Sequence, residues 1–184
     1  MELLAEPLPG LRLLRNRAHR DVRGSFTETY NRRSLAEMGI DVEFVQDNES
    51  VSAASGTIRG LHLQIAPNGQ GKLIRVLSGA VFDVAVDVRP GSSTFGRWVG
   101  VELGAGDHQV FWIPDGFAHG FCTLTPDTVV AYKTTAFYAP EAERTVRFDD
   151  PELGIDWPID PSAAVLSDSD AGAGTFATLT DELR

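Results

Sequence analysis

The stretch Ile58-Arg59-Gly60-Leu61-His62-Leu63-Gln64, with Lys72 on the next apolar segment, sets three basic side chains among strand-forming apolar residues. Cations are seldom placed where a core should be unless something anionic or electron-rich comes to meet them. A second histidine has similar surroundings in Pro114-Asp115-Gly116-Phe117-Ala118-His119-Gly120-Phe121. Together with Tyr132, these groups suit the removal of a proton from a carbon next to a carbonyl. Imidazole is a base with a pKa near neutral. Lys72 or Arg59 can hold the charge that develops on an enolate oxygen. A phenol such as Tyr132 can return the proton to the opposite face. A histidine base also wants its other ring nitrogen anchored by a carboxylate, for which Asp168 and Asp170 are candidates.

Two histidines also raise the question of a metal. The cupin metal site wants His-x-His, a glutamate and a further histidine, but here Gln64 stands in place of the second histidine and Lys72 in place of the glutamate. A charged lysine donates and cannot ligate, and it repels a dication. No metal and no cofactor is expected. Taken singly, His62 reads equally well as a hydrogen-bonded core or surface histidine, Tyr132 as a barrel-filling aromatic, and Arg59 as a surface ion-pair partner. There is neither a Gly-x-Gly-x-x-Gly nor a Walker pattern, and Ser25 and Ser55 lack a nucleophile-elbow context.

Positioning these groups requires strands. Val42–Asp47, Thr57–Gln64, Lys72–Leu77, Val81–Val88, Trp98–Leu103, Gln109–Ile113 and Thr128–Phe137 are short apolar or alternating runs, mostly separated by Gly, Pro, Asn or Asp. Phe82, Val84, Val86 and Val88 share one face and Asp83 and Asp87 the other. Asp21–Tyr30 reads as a turn leading into a strand with Phe26 and Glu28 on one side. Asn31 can cap a short helix carrying Leu35 and Met38 and stopped by Gly39. The pattern predicts an all-β chain, a sandwich or jelly-roll barrel. Parity poses a condition: in an unbroken strand Arg59 and His62 point to opposite faces, and both reach one pocket only if Gly60 makes a bulge.

The 184 residues suffice for a single domain over 1–184, with an N-terminal arm at 1–14 and an irregular segment at 151–184 holding a possible helix from Thr175 to Leu183. A net charge of -10 without a Lys/Arg run argues against nucleic acid, but not against a small anion met by a few local cations. The lone Cys122, the absence of a basic-then-apolar N-terminal segment and the lack of a long apolar run predict a cytoplasmic protein with no membrane association.

The chain resembles the dTDP-4-dehydrorhamnose 3,5-epimerase (dTDP-4-keto-6-deoxyglucose 3,5-epimerase) family over roughly residues 7 to 175. The marks are Asp21-x-Arg23-Gly24-x-Phe26-x-Glu28, Val45-Gln46-Asp47-Asn48, Arg59-Gly60-Leu61-His62, Gln70-Gly71-Lys72, Val81–Asp87, Thr94-Phe95-Gly96-Arg97-Trp98, Pro114–Phe121, Tyr132-Lys133-Thr134-Thr135 and Asp149-Asp150-Pro151, in that order. The resemblance implies a metal-independent cupin-type jelly-roll β-barrel with short peripheral helices, usually a homodimer exchanging N-terminal strands. It implies epimerisation at C3 and C5 of a dTDP-4-keto-6-deoxyhexose, with His62 as base paired to Asp170, Lys72 on the C4 enolate and Tyr132 as acid. It further implies a sugar–diphosphate pocket lined by Arg59 and His119 and extended by Gln46 and Asn48. Tyr138 would stack on thymine, and Arg23, Phe26 and Glu28 would contact the nucleotide across the dimer. His19, Glu49, Ser169 and Phe137 depart from the common pattern. Single-carbon epimerases of antibiotic-sugar pathways share these motifs, and a cupin that binds a nucleotide-sugar without turnover is a further alternative.

Overall fold

The alternating runs become strands because each has a face to bury. A computed structural model describes residues 1–183. Its strands are β1 (Glu2–Ala5), β2 (Arg12–Arg15), β3 (Ala18–Asp21), β4 (Gly24–Thr27), β5 (Gln46–Ser52), β6 (Ile58–Gln64), β7 (Lys72–Ser78), β8 (Ala80–Asp87), β9 (Trp98–Gly104), β10 (Gln109–Ile113), β11 (Phe117–Thr123), β12 (Thr128–Thr134) and β13 (Glu143–Thr145). Three short helices, α1 (Arg32–Glu37), α2 (Asp168–Ala171) and α3 (Phe176–Glu182), lie at the periphery. A sheet ordered β1-β2-β10-β7-β12-β5 faces one ordered β13-β6-β11-β8-β9, while β3 and β4 form a separate hairpin. This is an all-β, cupin-type jelly-roll barrel.

Between the two sheets Ile74, Val76, Phe111, Ile113 and Val130 meet Val81, Ala85, Leu103, Phe117 and Phe121. Full burial of each large side chain stabilises by about 1.5–3 kcal/mol. The second sheet is apolar on its outer face too. There Ile58, Leu61, Leu63, Val84, Val86, Ala118 and Cys122 pack under the C-terminal segment through Phe148, Leu153, Trp157, Phe176 and Leu179. Asp150 ties that layer down, accepting from the backbone N–H of Glu152 and of Phe176. Trp157 donates from Nε1 to the Phe148 carbonyl at 2.8 Å.

Several expectations need correction. Residues 41–45 are irregular, and the strand there runs from Gln46 to Ser52. Val42 and Phe44 pack instead with α1 against Leu73, Val110 and Trp112, so their apolar faces are used without strand pairing. The strand beginning at Thr128 stops at Thr134, and beyond it the Ala136 carbonyl accepts from the Gln70 and Thr134 side chains instead of from a neighbouring strand. β11 lies outside the predicted strands; it is buried along its whole length and therefore shows no alternation. Asp21–Tyr30 is the second half of the β3–β4 hairpin, with Glu28 beyond its end. The arm at 1–14 holds β1 and most of β2, and β2 pairs with this chain's own β10. The two predicted helices form, capped by Asn31 and Thr175.

Candidate active site

Arg59 and His62 share a cleft because β6 is bulged. His119 of β11 pairs with His62 and Phe121 with Arg59, so the step from 119 to 121 on one strand matches that from 62 to 59 on the other. Gly60 has φ +128, and a Cβ there would lie 2.5 Å from the Gly120 Cα and 2.7 Å from the His119 carbonyl oxygen. Only glycine fits so close a backbone approach. The extra residue resets parity: Ile58, Leu61 and Leu63 pack outward with the C-terminal layer, and Arg59, His62 and Gln64 line the interior.

The cleft, about 450 Å³, is lined by Arg59, His62, Lys72, His119, Tyr132 and Asp170. An adjoining hollow of about 240 Å³ shares His62, Lys72 and Tyr132 and adds Gln46, Asn48 and Tyr138. Nine of the twelve residues picked from the sequence therefore meet in one place. Arg23, Phe26 and Glu28 do not. They line hollows around the β3–β4 hairpin, which stands apart from the barrel, and Arg23 pairs there with Asp21.

His62 Nε2 lies 2.6 Å from Asp170 Oδ1. Asp170 is buried whereas Asp168 is exposed, which decides between the two candidate carboxylates. Ser167 orients it, accepting from the Asp170 backbone N–H and donating from Oγ to Asp170 Oδ2 at 3.0 Å. Burial disfavours the Asp170 carboxylate, but bonds from His62, Ser167 and the Gly60 backbone outweigh it and hold its pKa below the usual range. A carboxylate accepting from Nε2 leaves the lone pair of a neutral ring on Nδ1.

Lys72 is buried, and its Nζ donates to the His62 carbonyl at 3.1 Å. Loss of solvent lowers its pKa to about 8, against the opposing pull of the Asp83 and Glu143 charges. His119 Nε2 sits 3.0 and 3.1 Å from the two oxygens of Asp83, both side chains buried. Burial lowers the His119 pKa; Asp83 opposes this, and the Lys72 and His62 charges add to it. Burial raises the Tyr132 pKa, Arg59 counteracts, and Glu143 adds to the rise, so the phenol keeps its proton. Arg59 reaches from the mouth to Ser52 Oγ and the Val51 carbonyl.

Sequence reasoning missed Asp83, Glu143 and Ser167 as parts of this site. Asp83 had a signal, a carboxylate inside the apolar run Val81–Val88. Ser167 had one as well, the Ser-x-x-Asp spacing to Asp170 that marks a helix start, whereas Glu143 had none, since a short edge strand brings it in. Among the described residues no three His, Cys, Asp or Glu side chains gather as a metal-binding group.

A family model described as dTDP-4-dehydrorhamnose 3,5-epimerase matches residues 5–178. The dTDP-4-dehydrorhamnose 3,5-epimerase of Pseudomonas aeruginosa is 51% identical over 171 residues, 92% of this chain and 93% of that protein. Among solved structures, dTDP-6-deoxy-D-glucose-3,5-epimerase RmlC of Legionella pneumophila in complex with dTDP-4-keto-L-rhamnose superposes with a TM-score of 0.93 and 44% identity, covering 99% of this chain and 96% of that one. ChmJ, a 3'-monoepimerase from Streptomyces bikiniensis in complex with dTDP-quinovose, gives a TM-score of 0.90 and 37% identity, covering 100% and 91%.

Proposed function

Since the chain belongs to the dTDP-4-dehydrorhamnose 3,5-epimerase family, we propose that its cleft epimerises C3 and C5 of dTDP-4-keto-6-deoxy-D-glucose through enolates, giving dTDP-4-keto-L-rhamnose. The observation that carries this is the His62–Asp170 pair at 2.6 Å in one cleft with buried Lys72 and with Tyr132. His62, oriented by Asp170, takes the proton next to the C4 ketone. Lys72 holds the charge that moves onto the C4 oxygen. Tyr132, kept protonated by burial, delivers a proton to the other face. The substrate's own ketone acidifies both neighbouring carbons, so this route calls on no cofactor.

His119 and Arg59 fit the sugar and diphosphate, and Gln46 and Asn48 offer amides beside them. Tyr138 at the rim fits the thymine ring. Arg23, Phe26 and Glu28 lie outside this chain's cleft, which favours a homodimer in which the β3–β4 hairpin serves the partner's site. We place the enzyme in the cytoplasm; among the described residues no helix is long and apolar enough to cross a membrane.

Incubation with dTDP-4-keto-6-deoxyglucose in deuterated water tests the reading. Label at both C3 and C5 with inversion at each is the expected result. Label at one carbon would make this a single-carbon epimerase, the activity of the similar ChmJ, and turnover without exchange would rule out proton abstraction.

A further inference from the structure

Segment 136–139, just beyond β12, presents Tyr138 at the rim of the hollow, yet nothing apolar holds it there. Phe137 and Tyr138 are 69% and 54% exposed. What holds the segment is a set of glutamine amides from three separate parts of the chain, joined by Thr134 Oγ1, which donates to the Ala136 carbonyl at 2.9 Å. Gln70 Nε2 donates to the Ala136 carbonyl at 2.8 Å. Gln64 Nε2 donates to the Phe137 carbonyl at 3.2 Å, and Gln64 Oε1 accepts from the Ala139 N–H at 2.8 Å. Gln46 Oε1 accepts from the Tyr138 N–H at 3.0 Å. At the other end of the ring the Tyr138 hydroxyl donates to Glu143 Oε2 at 2.8 Å.

Gln64 is the centre of this set. It is 5% exposed, and its second amide hydrogen reaches the Asn68 carbonyl at 2.7 Å, so it ties two loops to β6. A carboxamide carries both an acceptor and two donor hydrogens, so it can serve an N–H and a C=O of one backbone segment and still reach a second loop. A glutamate there would set acceptor against acceptor, and a methionine of similar volume would leave these groups without partners. We infer that Gln64 is a positioning residue for the Tyr138 ring, acting through the 136–139 backbone, with Gln46 and Gln70 completing the latch. Its purpose rests on the reading of Tyr138 as the nucleobase platform. Fixing the ring before the nucleotide arrives removes an ordering cost from binding and leaves the proton-transfer groups untouched.

The test is Gln64→Met in the full-length enzyme, with three readouts. Amide hydrogen exchange at Ala139, outside any strand, should quicken by about tenfold or more once its acceptor is gone. The Kd for dTDP and the KM should each rise about tenfold, with kcat at saturation within about twofold of wild type. In a Tyr138→Ala background the same change should add nothing to the Kd, because its route of action is already absent. Unchanged exchange, a fall in kcat at constant KM, or additive penalties in the double variant would each overturn the assignment. If Gln64→Met does not fold, Gln70→Ala combined with Thr134→Val, which together strip the Ala136 carbonyl of both its donors, should shift the Kd in the same direction; no shift would count against the latch. A Tyr138→Ala enzyme that binds dTDP as wild type would sink the platform reading and the purpose given to the latch, while exchange at Ala139 still reports the latch itself.

Discussion

Lys72 donates from Nζ to the backbone carbonyl of His62 at 3.1 Å, which ties the cation to the strand that carries the base. Its pKa is lowered from 10.5 to about 8 by burial, with Asp83 and Glu143 opposing. The charge needed on the enolate is therefore lost as pH rises through about 8, and kcat/KM should decline above that value. Lys72→Arg should carry the alkaline limb to higher pH, because guanidinium stays charged. Stability has the opposite sign: between about 8 and 10.5 the unfolded chain binds more protons at this position, so unfolding free energy rises with pH. Lys72→Met should cost about 10²-fold in kcat while sparing dTDP affinity. A pH–rate profile identical in wild type and Lys72→Arg would remove Lys72 from the chemistry.

His62→Ala should fold normally and lose about 10³-fold in turnover, together with exchange at C3 and C5. Asp170→Asn keeps the shape but withdraws the negative charge that faces His62 Nε2 at 2.6 Å, and should cost roughly 10²-fold. Stopped assays in deuterated water read both. Wild-type rates in either variant would contradict the assignment of the base.

Tyr132→Phe removes the acid from the far face and leaves the base in place. Solvent deuterium should still enter, returned by His62 to the face it came from, so recovered substrate is labelled without inversion. Inverted product formed at the wild-type rate would place the acid elsewhere.

Gly60→Ala forces a methyl to within 2.5 Å of the Gly120 Cα at φ +128. The backbone must shift or β6 must lose its bulge. Unfolding by urea should show a loss of about 3 kcal/mol or more. If β6 loses its bulge and the variant still folds, Arg59 and His62 no longer share one face and activity falls with stability. Stability within about 0.5 kcal/mol of wild type would mean that the bulge tolerates a side chain.

How much could be read in advance differs by element. β6, β8 and β10 were legible because each has period-2 spacing or an apolar run closed by turn residues. β11 was not, because the barrel core covers one of its faces and the C-terminal layer the other, which erases alternation. The Val42–Asp47 run misled for a related reason: Val42 and Phe44 are apolar because they pack under α1, and packing alone does not require a strand.

By itself the sequence determined the chemical inventory: an imidazole, an ammonium and a phenol held on strands, and a glycine placed where a bulge would have to be. Tertiary structure decided what those groups meet. Asp170 comes from 108 residues beyond His62, carried in by a C-terminal layer that packs on the outside of the same strand. Asp83 turns inward to His119, while Arg23, Phe26 and Glu28 stay outside the cleft. The reason is physical. Periodicity records that a face is covered but not by which segment, and a carboxylate's partner is set by chain packing in three dimensions, which no local spacing encodes.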